Sequence, residues 1–248
     1  MTTTPPPTLE NTTEPTNSPA GMIPQQSSTP RAGNFRAFTN WIIQVSGEDP
    51  GARSALRSGL RKDLDSVRRM HRLVAPWLPE QPSEDLERAY YTIAAMIAAQ
   101  PRSTLTAPQG TAKDSDQPGE TAAATQPRQQ RASLGTAFAT AVTEGPGREK
   151  EMRAGTAESR LNLLTRQSVN GLHRHLPASV GYLRSLGVDV DWARLLDDLG
   201  NWRKQSGRIS RIWLQDFYRV RNKALAEQAD KADEKELASE AAAGSAAP

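Results

Sequence analysis

Residues 83–97 read Ser83-Glu-Asp-Leu86-Glu-Arg-Ala-Tyr90-Tyr-Thr-Ile93-Ala-Ala-Met-Ile97, the pattern of a capped amphipathic helix. Ser83 is placed to cap a helix start, because its side-chain oxygen can accept from a free N–H of the first turn. Leu86, Tyr90, Ile93 and Ile97 then recur at spacings of three and four, which lays them along one helical face. The helix must end before Pro101, which has no N–H to continue it.

The same period returns on both sides. Upstream, Phe35, Phe38, Ile42 and Val45 share a face with Trp41 beside them, until Gly47-Glu-Asp-Pro-Gly51 breaks the run. Ala52, Leu56, Leu60 and Leu64 predict a second helix at i,i+4, with Val67 continuing the stripe and Met70, Leu73 and Val74 extending it towards Pro76. Downstream, order resumes at Ser133-Leu-Gly-Thr-Ala-Phe138, and a helix is expected over 156–167. Ser168 caps the next, where Pro177 predicts a kink or break. Tyr182, Leu183 and Leu186 lead to Gly187, a natural residue after a helix end. Asp191 caps a helix carrying Trp192, Leu195, Leu196, Leu199 and Trp202. Ile209, Trp213, Phe217 and Val220 make the last stripe. Nothing reads as a strand, so the expected fold is all-α, in an N-terminal bundle over 34–100 and a C-terminal bundle over 132–222.

The remaining segments lack such periodicity. Residues 1–33 are Thr, Pro, Ser, Asn and Gln, too polar to offset chain entropy, and read as disordered. Residues 101–131 are too long for an ordinary loop and read as a disordered insertion. Residues 223–248 form an acidic Ala/Glu-rich tail expected to fray. The formal charge of the 248 residues is +3, but residues 132–222 carry fourteen basic and nine acidic groups while the tail carries three and six. The folded part is thus more basic than the whole.

There is no cysteine, which excludes disulfide scaffolds, thiolate zinc sites, Fe–S clusters and thiol catalysis. No apolar run is long enough to span a membrane, and Met1-Thr-Thr-Thr-Pro-Pro-Pro has no basic or apolar leader region. A cytoplasmic protein with no membrane partner is expected. Catalytic signals are also missing. A His173-x-His175 pair on a helix points its rings to nearly opposite faces, unsuited to one metal. Asp189, Asp191, Asp197 and Asp198 could be imagined as a Mg²⁺ nuclease cluster, but the first two sit at a helix start and the others on the polar side of the helix that follows. No P-loop, nucleophile elbow or dinucleotide glycine pattern occurs. No active site, cofactor, metal or small-molecule substrate is expected.

Arginine is what stands out, with 24 Arg against 7 Lys. Arg53, Arg57 and Arg61 are spaced i,i+4,i+8, a ridge with no acidic residue between Gly51 and Lys62. Guanidiniums held side by side suit an anionic partner, since their planes bind phosphates and stack on bases. On the residues alone, a solvated helix face is the rival reading. No helix-turn-helix or zinc-finger signature points to sequence-specific readout.

The order of several motifs is more specific than any one of them. Asp49-Pro-Gly-Ala-Arg-Ser-Ala-Leu-Arg-Ser-Gly59 is followed by Tyr90-Tyr-Thr-Ile-Ala-Ala-Met-Ile-Ala98, Ser133-Leu-Gly-Thr-Ala137 and Glu158-Ser-Arg-Leu-Asn-Leu-Leu164. Then come Leu183-Arg-Ser-Leu-Gly-Val-Asp-Val-Asp-Trp192, Leu195-Leu-Asp-Asp-Leu-Gly-Asn-Trp202 and Trp213-Leu-Gln-Asp-Phe-Tyr218. Over roughly residues 35–220 this series resembles the CasB family, the small subunit of the type I-E CRISPR surveillance complex, Cascade.

The resemblance implies a non-catalytic, two-bundle helical subunit whose basic surface stabilises the R-loop, guiding the displaced non-target strand and supporting target-strand binding in antiviral defence. It implies as partners the Cascade backbone, large and crRNA-processing subunits with crRNA, a second copy of the chain in a head-to-tail pair, and target and non-target DNA. Arg53 and Arg57 inherit the nucleic-acid role most directly, then Arg160. Arg61, Arg131, Arg166, Arg174 and Arg184 follow from neighbouring motif positions and local charge. The alternative is a stand-alone helical regulator or nucleoid-type protein that binds duplex DNA by itself.

Overall fold

In the computed structural model, residue 1 and residues 34–106, 132–143 and 152–244 are described. The chain is all-α, and no strand occurs among the described residues. Helix α1 (Phe35–Glu48) is capped by Asn34, whose side chain accepts from the Ala37 N–H at 3.0 Å. Asp49 caps α2 (Pro50–Arg57) by accepting from Gly51 N at 2.7 Å, with Pro50 in the first turn, where a missing N–H costs nothing.

The expected continuation of α2 to Val67 does not form. The helix stops at Arg57, and short turns at 64–66, 68–70 and 75–77 flank the four-residue α3 (His71–Val74). Gly59 explains the reversal. A Cβ there would lie 2.1 Å from the Met70 sulfur and 3.1 Å from Val67, so the returning chain packs where a side chain would stand. Arg61 takes a left-handed φ of 61° in the same reversal.

Helix α4 (Glu84–Ala98) is the central strut. Ser83 caps it as expected, and Tyr90, Ile93 and Ile97 are buried. It packs on α1 and α2 from its own half, and on α8 (Val169–Ser185) and α9 (Trp192–Gly200) from the other. A short α5 (Arg102–Thr106) follows and packs on α1. Phe38 meets Tyr90 at 4.6 Å and Trp77 at 5.8 Å, and Trp41 meets Trp77 at 5.5 Å. Trp77, ambiguous in the sequence, thus packs rather than waiting for a base.

In the C-terminal half, Ser133 caps α6 (Leu134–Val142), and α7 (Ala154–Thr165) leads to α8, capped by Ser168. The break expected at Pro177 is not there. Helix α8 runs through it, with Pro177 buried, so packing against α4, α6 and α7 outweighs the one backbone donor that proline lacks. Asp191 caps α9 through Arg194 N at 2.9 Å.

Helix α10 (Trp202–Gly244) bends at Gln205, whose φ and ψ of −133° and 20° are not helical. It buries Ile209, Trp213 and Phe217 as the stripe predicts. It also continues farther than expected, to Gly244. From Lys223 to Glu234 only Ala224 is more than marginally covered, so strong helix formers and local pairs such as Lys223–Glu227 hold it, not a core.

One buried cluster runs through both halves, from Phe38 and Ile42 to Trp213 and Phe217. Its tightest approach is α6 on α10. A Cβ on Gly135 would lie 1.8 Å from the Trp213 carbonyl oxygen, so only glycine admits the two backbones.

Candidate nucleic-acid interface

Helix α2 carries Arg53 and Arg57 one turn apart, and α5 begins at Arg102 just beyond the end of α4. Arg53 Nε donates to the Ala98 carbonyl at 3.1 Å and its Nη2 to the Gln100 carbonyl at 2.5 Å. These carbonyls belong to the last turn of α4 and the residues after it, where intrahelical partners run out. Arg53 therefore both closes α4 and faces outward. Partial burial, then the charges of Arg57 and Arg102, pull its pKa below the usual arginine value. Burial is the larger cause, and the two neighbouring guanidiniums add to it.

The three arginines meet at an open cleft of about 640 Å³ lined by Pro50, Arg53, Ser54, Arg57, Ser58 and Arg102. Among the described residues no carboxylate lines it. Arg57 is exposed. A cleft with three guanidiniums, two hydroxyls and no acid can hold an extended anion.

The expected ridge is thereby corrected. Arg53 and Arg57 share a helix, but Arg61 sits beyond the helix end in the left-handed turn, exposed and off the line. Arg102 takes the third position. Its residue number falls in the segment read as insertion, and the only sequence signal was its place immediately after Pro101.

The second basic surface is on α7 and α8. No Asp or Glu occurs from Ser159 to Val188. Arg166 and Arg174 are exposed, and Arg160 is half-buried, with its guanidinium carbon 4.6 Å from the centre of the Tyr182 ring. Arg184 departs from the expected set. It is only 9% exposed and donates to Gln100 Oε1 at 2.8 Å, to the Val188 carbonyl at 3.0 Å and to Asp189. It is a tie between the halves, closed to a phosphate. Arg131 lies outside the described residues. A smaller cavity of about 100 Å³ is bordered by Leu60, Pro101 and Gly181, neighbours of the cleft on one side and of Tyr182 on the other.

The carboxylates and histidines are spoken for separately. Asp189 meets Arg184, Asp191 caps α9, and Asp197 accepts from Asn201 Nδ2 at 2.9 Å. Asp198 does not lie on the polar side as its sequence position implied. It is buried, accepting from Trp213 Nε1 at 2.7 Å and Arg194 Nε at 3.0 Å, and burial pushes its pKa up to about 6. Among the described residues no cluster of His, Asp and Glu is disposed to hold a metal. His173 is buried, its Nδ1 2.8 Å from Thr92 Oγ1. Burial first, then Arg88, lowers its pKa to about 4. His71 pairs with the Tyr91 hydroxyl at 2.6 Å, and His175 is exposed. No described helix is long and apolar enough to cross a membrane.

Fold and site together define a class: an all-helical protein with an open cationic cleft formed by Arg53, Arg57 and Arg102. The particular family is equally plain. The model of the family "CRISPR-associated protein Cse2" matches residues 52–218, and the chain belongs to that family. The chain is similar to a solved chain described as "CRISPR RNA-guided surveillance complex", with 34% identity, a TM-score of 0.63 and coverage of 79% of this chain and 96% of that one. A second, "CRISPR RNA-guided surveillance complex, pre-nicking", is 32% identical with the same TM-score, covering 79% and 97%. CasB from Thermus thermophilus, at 20% identity, a TM-score of 0.51 and coverage of 75% and 97%, shares the fold. None of the curated proteins matches this chain.

Proposed function

We propose that this chain is a non-catalytic small subunit of an RNA-guided DNA-surveillance complex and holds nucleic-acid backbone, stabilising the R-loop. The observation that carries the reading is the convergence of Arg53, Arg57 and Arg102 on one open cleft. Membership of the Cse2 family and likeness to chains from surveillance complexes support the assembly context.

The physics favours such a role. Exchange of a DNA duplex for a guide–target heteroduplex is nearly balanced in free energy, so modest extra contacts tip it. Gripping the ejected strand by its phosphates disfavours re-annealing and reads no sequence. Each phosphate neutralised on a single strand contributes a slope of about −0.7 in log affinity against log salt, and about six contacts give roughly −4. Arg53, Arg57 and Arg102 supply the cleft, and Arg160, Arg166 and Arg174 extend the surface over α7 and α8. Arg61 is exposed at its margin. The complex's backbone, large and crRNA-processing subunits with crRNA, and a second copy of this chain, are the proposed protein partners.

The test is R-loop formation by the reconstituted complex with and without this chain, at fixed guide and target. Fewer or shorter-lived R-loops in its absence are expected. Undiminished R-loops, or a chain that never joins the complex, would overturn the reading.

A further inference from the structure

The α7–α8 face combines charge with an uncovered aromatic ring. Tyr182 is 36% exposed, and Leu163, one turn from Arg160 on α7, is 47% exposed. The Arg160 guanidinium lies over the Tyr182 ring, a cation–π contact that fixes the ring's attitude while leaving part of it to solvent. Glu158, the acidic residue on α7, is engaged by the Tyr218 hydroxyl at 2.6 Å. From Ser159 to Val188 nothing acidic follows.

A purely phosphate-gripping face needs no exposed aromatic or leucine. A face that also meets bases does. In duplex DNA the base planes are stacked on one another and closed to a side chain, whereas in a single strand they are open. Base–aromatic stacking is worth about 1–3 kcal/mol per base and tolerates any sequence.

The geometry points to Tyr182 as a base-stacking platform that makes this face selective for single-stranded over duplex nucleic acid. A nucleotide satisfies both parts of the pair, its base against the exposed part of the ring and its phosphate against Arg160. Exposed Arg174 on α8 and exposed Arg166, the residue that ends α7, are available to receive neighbouring phosphates. This inference rests on the nucleic-acid reading above and adds the side chain that meets the bases. Stacking is insensitive to salt, unlike the phosphate contacts, so the two are separable by experiment.

The test uses the full-length chain with three probes: labelled oligothymidylate, an abasic strand of equal length, and a duplex. Wild type is expected to bind oligothymidylate roughly tenfold more tightly than the abasic strand. Tyr182→Ala is expected to abolish that difference with an unchanged salt slope, and Tyr182→Phe to retain it. The comparison of the two strands on wild type stands even if Tyr182→Ala folds poorly, which circular dichroism would register. Wild type binding intact and abasic strands alike, or Tyr182→Ala keeping the preference, overturns the platform while leaving phosphate binding intact. Wild type binding no probe overturns the nucleic-acid reading and the platform with it.

Discussion

Arg184 Nε donates to Gln100 Oε1 at 2.8 Å across 84 residues of sequence, tying α8 to the end of α4. The same Gln100 offers its carbonyl to Arg53. One residue after α4 therefore joins the cleft arginine to the buried arginine of the other half. Arg184→Ala strands the Gln100 amide oxygen and the Val188 carbonyl and leaves a hole. It is expected to cost about 2–4 kcal/mol, read as a lower denaturant midpoint. DNA affinity per folded molecule is expected to stay unchanged, because Arg184 is not on the surface.

Gly135 meets the Trp213 carbonyl too closely for any side chain. Gly135→Ala must push α6 off α10 and is expected to destabilise by about 3 kcal/mol. Gly181→Ala is the control. Nothing lies within 4 Å of a Cβ there, and the helix interior gains from the exchange, so a rise of up to about 1 kcal/mol is expected. Thermal melting of the two variants separates steric from conformational effects.

The response to acid depends on two buried groups with opposite signs. His173 titrates near 4 in the folded chain against about 6.5 unfolded, so the unfolded state takes up the proton first. Its contribution is lost as pH falls from about 6.5 through 4. Asp198 titrates near 6 folded against an ordinary 3.8, so the folded state holds the proton longer. Its contribution is lost as pH rises from about 4 through 6. The two oppose each other between about pH 4 and 6. Asp198→Asn is expected to leave stability rising more steeply with pH in that window, and His173→Gln to leave it falling. Denaturant midpoints across that range check both slopes.

Much of the fold was legible because its signals are local. Ser83, Ser133, Ser168 and Asp191 are short polar residues at the head of apolar stripes, and each caps a helix. The end of α2 was less legible, since the Ala52–Leu64 stripe runs on in register. Gly59 was the available sign, but its meaning depends on Met70 and Val67 coming back against it. Burial of Arg184 and Asp198 could not be read locally, because one partner of each, Gln100 and Trp213, lies 84 and 15 residues away. Arg102 was hidden differently. It needs only the fold to bring it to Arg53 and Arg57, and no sequence pattern encodes that meeting.

In the proposed role Arg57 and Arg102 neutralise phosphates, while Arg53 is held against the end of α4. The measurement is the salt dependence of R-loop stability for the reconstituted complex carrying Arg57→Ala and Arg102→Ala together. Assembly is expected to be retained, affinity at low salt to fall, and the log–log slope to become shallower by about 1.4, two contacts at about 0.7 each. An assembled double variant with wild-type affinity and an unchanged slope would contradict the account.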